Sequence, residues 1–220
     1  MLKTNNITKL HWLHCTMDML KKGYDNTVAM ESFMAAEQYG ELVQDSLTIG
    51  RARYQVGKLL YYDGLVDNAL WTFKASEPFF GNSFEERALA SNGVVTSYML
   101  LRDYGQAHLF VDQTLRYAEL AQSEEIKQKA LNNLAVLYQL EGDFGNAIAI
   151  LESVESKNDG QRLLNHLNLG DVYMLLGNMD SAKYHLGFVE QALSKTKVKM
   201  ETKIAALKTL SHFSELQYDY

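Results

Sequence analysis

The residues best spaced for chemistry lie near the start of the chain. His11, His14 and Asp18 follow at intervals of three and four, with Cys15 among them. That spacing puts the three on one helical face, within coordinating distance of a common ion. A structural zinc site, however, draws its ligands from two elements. No second His/Cys cluster follows, and His108, His166, His185 and His212 are scattered singly. The group therefore reads as the polar face of a first helix, and neither a metal nor a cofactor is expected. Cys15 is the single cysteine and cannot form an internal disulfide. The chain holds no His-Glu-x-x-His, no Gly-x-Ser-x-Gly and no phosphate-binding Gly-x-x-x-x-Gly-Lys. It is expected not to be an enzyme. Lys195, Lys197, Lys199, Lys203 and Lys208 form the one basic concentration, with Glu201 inside it. It reads as a solvated linker face rather than a patch for an acidic partner.

The elements that carry these residues are constrained by composition. The chain has 220 residues, 47% hydrophobic and 22% charged, which is ordinary for one folded domain. The net charge of −6 divides into −2 over residues 1–110 and −4 over the rest. Neither half is basic, so direct nucleic-acid contact is not expected. No apolar run reaches membrane-spanning length. The segment Met1-Leu2-Lys3-Thr4-Asn5-Asn6 lacks the apolar core of a signal peptide. A cytoplasmic location is expected if Met1 is the native start, and an envelope or periplasmic one is open if the chain is a piece of a longer protein.

Five alanines, at 29, 69, 107, 147 and 182, sit in copies of one pattern. The clearest read Leu134-Ala135-x-x-Tyr138-x-x-x-Gly142-Asp143-Phe144-x-x-Ala147 and Leu169-Gly170-x-x-Tyr173-x-x-x-Gly177-Asn178-Met179-x-x-Ala182. Gaps of 35 to 40 residues mean one supersecondary unit stacked repeatedly, each burying its apolar face on its neighbours. One proline, Pro78, and few turn clusters make the units helical. Each supplies a first helix with Leu-Gly/Ala-x-x-Tyr, a turn opened by glycine, and a second helix. Glycine ends a helix in left-handed angles, and the Asp or Asn after it caps the next helix. The alanine lets the helices approach, and a large residue four positions on fills the gap. The second unit follows with Val56-Gly57, Asp63-Gly64, Ala69 and Phe73; the third with Val94-Val95, Asp103-Tyr104, Ala107 and Val111. The first is degraded, with Leu13, Leu20 and Gly23 before Ala29, Phe33 and Ala36. The expected repeats span 8–40, 44–78, 84–122, 125–156 and 160–194, followed by a helix over 198–217. Leu207, Leu210, Phe213 and Leu216 give that last helix an apolar stripe. Left without a partner, such a stripe suggests a fragment of a longer protein; alternatively the helix is a cap.

The skeleton resembles the tetratricopeptide repeat family over nearly the whole chain. The resemblance implies an all-α, right-handed α-solenoid. The family's Trp near the start of the first helix is replaced by Arg53, Ser91, Leu131 and His166. The long repeats also look like sensor and scaffold arrays of bacterial regulators. The stretch from Ala36-Glu37 through Tyr39-Gly40 and Asp45-Ser46-Leu47 to Gly50 is similar to the Bacteroidetes-type, envelope-anchored group. The family binds ligand in a concave groove lined by exposed positions of the first helices. Aligned on the repeat alanines, those positions hold Arg51, Tyr54, Lys58, Tyr61 and Tyr62, then Asn92 and Thr96. Further along come Lys129, Asn132, Asn133 and Gln139, then Asn168 and Asp171. Asparagines there can read a peptide backbone, and tyrosines can select side chains. The family's carboxylate clamp is incomplete: Lys129 and Asn133 match, but Gly93 stands where an Asn is needed. The implied function is non-catalytic binding of a protein or extended peptide. The alternatives are the sensor portion of a bacterial regulator, or a scaffold that self-associates through the C-terminal helix.

Overall fold

The computed structural model describes residues 26–154, 159–195, 198 and 200–218. His11, His14, Cys15 and Asp18, with Leu13, Leu20 and Gly23, lie outside the described residues. All described regular structure is helical. The chain forms two compact units, one ending at Ser123 and the other starting at Glu124.

The first unit contains α1 (Asn26–Leu42), α2 (Ser46–Tyr62), α3 (Val66–Ser76), α4 (Phe84–Leu100) and α5 (Tyr104–Leu120), with a 3-10 turn at Glu77–Phe80 after α3. The second contains α6 (Glu124–Glu141), α7 (Phe144–Ser153), α8 (Asp159–Leu175), α9 (Met179–Lys195) and α10 (Met200–Tyr218). Helices α2, α4, α6 and α8 each open a pair closed by the helix that follows.

Within the pairs, each repeat alanine sits where only a methyl group fits. Ala69, Ala107, Ala147 and Ala182 are fully buried, and so are Val111, Leu151 and Leu186 four positions on, with Phe73 nearly so. The opposing helix often answers with glycine. A Cβ on Gly57 or Gly93 would meet the Phe73 ring at 2.8 and 2.9 Å, and one on Gly170 would meet Leu186 at 2.6 Å. The small cores join each pair to the opening helix of the next, such as Ala69 and Phe73 of α3 with Val94 of α4, or Ala135, Ala147 and Leu151 of α6 and α7 with Leu169 and Val172 of α8.

The turns repeat as well. After α2, α4, α6 and α8 one residue takes a left-handed conformation: Gly64, Arg102, Gly142 and Gly177. The next amide closes a six-residue ring, as in Asp143 N–H to Tyr138 O at 2.8 Å and Asn178 N–H to Tyr173 O at 2.9 Å. The third copy carries Arg102 at φ 60° where glycine is expected. Asp45, Asp103 and Asp143 cap α2, α5 and α7 by accepting from Thr48, Gln106 and Asn146 N–H. Asn178 Oδ1 does the same for Ser181. Leu65 stands at the cap of α3 and supplies no such bond.

The last helix departs from its expected exposure. Phe213 is buried, and Leu210 and Leu216 pack on the core of Leu167, Met174, Ala182 and Leu186. Leu207 remains exposed, beside Ile204. Most of the stripe on α10 is therefore used inside its own unit.

Candidate functional site

In the first unit the expected groove residues mostly meet one another or the core. Arg51 Nε on α2 donates to Glu86 Oε1 on α4 at 3.0 Å, and its Nη2 closes on the same oxygen. Tyr54 turns toward the helix interface, its ring 5.7 Å from that of Phe73. Burial, and then the charge of a Tyr62 phenolate, push the Tyr54 phenol up to about 12. Lys58 Nζ lies 5.9 Å from the Tyr54 ring centre. Tyr61 and Tyr62 meet edge to face at 5.8 Å. Burial raises the Tyr61 phenol, and a hydrogen bond with Thr96 opposes the rise. Thr96 also donates to Gly93 O at 3.0 Å. Asn92 is half-buried on α4, and Tyr62 alone of these tyrosines is well exposed.

The second unit differs. Lys129 pairs with Glu125 one turn earlier at 2.6 Å, so its ammonium already has an acid. Asn132 Oδ1 is buried without a hydrogen-bond partner, while Asn133 and Asn168 are half-buried. Asn132 and Gln139 are seven residues apart on α6 and so share a face. A cleft of about 440 Å³ is lined by Gln139 of α6, Asp171, Met174 and Leu175 of α8, and His212 and Leu216 of α10. Thr209 Oγ1 donates to Asp171 Oδ2 across 3.5 Å. Burial pushes the Asp171 carboxyl above its usual range, against the Thr209 hydrogen bond and the positive charge available to His212. The structure thus brings Gln139 and Asp171 together and adds His212, Met174 and Leu216. His212 and Leu216 were missed because the expected groove stopped at α8 and was not carried on to α10, and Met174 because it is an apolar position of α8 rather than one of the exposed polar ones.

Two histidines expected to stand alone do not. His166 Nδ1 on α8 lies 2.9 Å from His185 Nδ1 on α9. Phe188 stacks on the His166 ring at 4.0 Å and Tyr173 on the His185 ring at 5.5 Å, with Tyr184 edge-on to His185. Burial pushes both imidazoles below their usual range; His185 and Arg162 push His166 further. The signal was in the repeat register. His166 precedes Ala182 by the interval that separates Ser91 from Ala107, and His185 follows it as Phe110 follows Ala107. Ser91 and Phe110 also touch, the Ser91 hydroxyl donating to Phe110 O at 3.2 Å.

Among the described residues no three His, Cys, Asp or Glu side chains gather in a way that could hold a metal ion. No described helix is long and apolar enough to cross a membrane.

No family model matches the chain, and no curated protein matches it in sequence. Solved structures match it in shape. A thermophilic tetratricopeptide-repeat protein of Thermus thermophilus superposes with a TM-score of 0.64 at 18% identity, covering 92% of this chain and 98% of that one. BtubC of P. vanneervenii gives 0.63 at 17% identity, covering 81% and 77%. The tetratricopeptide-like repeats of a putative kinesin light chain from Podospora anserina give 0.64 at 14%, covering 84% and 94%. The protein has a tetratricopeptide-like, all-α solenoid fold.

Proposed function

We propose that the chain is a non-catalytic module that binds a protein or extended peptide along faces made by the first helices of its pairs. The observation that carries this reading is the cleft in the second unit. Three successive opening helices, α6, α8 and α10, each contribute to it, with apolar walls and a polar side chain from each helix. Few well-placed polar groups in an apolar concavity are the usual make-up of a ligand site. Asn132 shares the Gln139 face of α6, and rotation of its amide would bring the buried, unpartnered Oδ1 to a ligand N–H. Half-buried Asn133 and Asn168 would serve as further backbone-reading amides. Arg51, Lys58, Tyr61, Tyr62, Asn92 and Thr96 would form the corresponding face of the first unit.

A shallow, partly polar site of this kind should bind in the micromolar range, about −8 kcal/mol. Fluorescence polarisation with labelled nonapeptide pools tests it. The wild type should bind part of the pool at micromolar concentration, and Asn132→Ala with Gln139→Ala should weaken that binding at least tenfold. Failure of every pool to bind, or equal binding by the variant, would remove the reading.

A further inference from the structure

We infer that the α6–α8–α10 cleft takes a basic side chain, lysine or arginine, of an extended peptide, with Asp171 as its counter-charge. The inference rests on the peptide-binding reading above and deepens it. Asp171 stands half-buried in the cleft. Its hydrogen bond from Thr209, at 3.5 Å, is at the long limit for such a contact. A carboxylate removed from water with so weak a partner is stabilised by a cation and destabilised by any apolar or anionic occupant. His212 borders the same cleft but is exposed to water. The walls suit the same occupant. Met174, Leu175 and Leu216 present apolar surface along which the methylene stem of Lys or Arg can lie while its head reaches the acid. The Gln139 amide oxygen on α6 offers a second acceptor to a guanidinium, whose planar fork suits two acceptors at once. The overall charge of −6 acts in the same direction at longer range.

Two nonapeptide pools with identical randomised Ala, Leu, Ser and Asn flanks separate the possibilities, one with a central arginine and one with citrulline, its uncharged isostere. The wild type should bind the arginine pool about tenfold more tightly, in keeping with a charge-assisted hydrogen bond. Asp171→Asn should erase the difference by weakening the arginine pool alone. His212→Lys changes an exposed residue, leaves the core untouched, and should weaken the arginine pool by a similar factor by placing a competing cation in the cleft. Equal binding of both pools by the wild type, or a preference that survives Asp171→Asn, overturns the inference while leaving peptide binding intact. Binding of neither pool overturns both.

Discussion

The two units use equivalent positions of their opening helices for opposite purposes. In the first, Arg51 is matched by Glu86, Tyr54 lies against Phe73, and Tyr61 meets Thr96. In the second, Asn132 Oδ1 has no partner and Asp171 looks into an open cleft with one long hydrogen bond. Tyr54 and Asn132 each stand fifteen residues before their repeat alanine. One completes a core and the other leaves an acceptor over. A shared scaffold position therefore carries no fixed role: the residue placed there decides whether it completes a core or keeps an unsatisfied polar atom.

The strongest way to break the comparison is to test whether the pair interfaces are as tight as they look. Gly170→Leu places a Cβ 2.6 Å from Leu186 and adds a branched group beyond it. It should cost about 3 kcal/mol in a urea titration, the upper end of overpacking penalties. Asn168→Ala, two residues away on the half-buried face, should stay within about 0.5 kcal/mol. Equal losses at the two positions would mean that the helix register is wrong. Tyr54→Ala comes next, at about 2 kcal/mol, since the side chain is half-buried against Phe73 and loses part of what a core aromatic would. Asn132→Ala should cost less than about 0.5 kcal/mol, because its acceptor gains nothing from the folded chain. Were Tyr54→Ala neutral, the first unit's face would be as open as the second's.

The repeat itself was legible because tight helix contacts tolerate few residues. Ala147, Ala182, Gly170 and the capping Asp143 are chosen by sterics and hydrogen bonding, so their types and intervals announce the fold. The face of Tyr54 was not legible. Its register position lies at the border between core and surface: Leu167 occupies it fully buried, Asn92 and Asn132 half-buried. Which way such a side chain turns depends on its neighbour across the interface, here the ring of Phe73, and periodicity does not contain that. The cleft was half legible. Gln139 and Asp171 follow from the opening-helix positions, but His212 and Leu216 require knowing that α10 packs on α8 and α9. The histidine pair could have been found by comparing the alignment columns of Ser91 and Phe110.

That pair gives the comparison a pH dependence. Burial lowers both imidazoles in the folded state, and His185 and Arg162 lower His166 further. The unfolded chain then binds more protons than the folded one just below pH 6.5. Stability from the neutral pair is complete above that pH and is lost as pH falls toward the folded values. The stacked Tyr173, its phenol pushed up by burial, stays neutral across this range and cannot offset the charge. Asp171, raised from 3.8, acts with the opposite sign at lower pH. Hydrogen exchange, corrected for its intrinsic pH dependence, should show α8 and α9 opening more readily at pH 5.5 than at 7.5. The amides of α4 and α5, where Ser91 and Phe110 replace the histidines, should not change. His166→Leu should shrink the difference and His166→Leu with His185→Leu should abolish it; exchange in α8 and α9 that ignores pH would separate the pair from stability.

The smallest expected effects lie in the first unit's turns, where the repeat's own rules are broken. Arg102 occupies the left-handed position held by glycine in the neighbouring copies. A non-glycine residue there costs roughly 1–2 kcal/mol, and glycine returns about 0.5–1 kcal/mol of that as extra freedom in the unfolded chain. Arg102→Gly should therefore stabilise the protein by about 0.5 kcal/mol. Leu65, exposed at the uncapped start of α3, offers a comparison on the neighbouring turn. Leu65→Asp restores the bond that Asp103 and Asp143 make and should add up to about 1 kcal/mol. The second unit has Gly142 and Gly177 with Asp143 and Asn178 already in place and holds no such reserve. Paired urea titrations of the two variants decide the matter. Gains from both would mean that the first unit, whose opening-helix residues already serve packing, still falls short of its own repeat at the turns. No gain from either would mean that the local backbone has relaxed around Arg102 and Leu65, so that the turn pattern marks the repeats without adding to their stability.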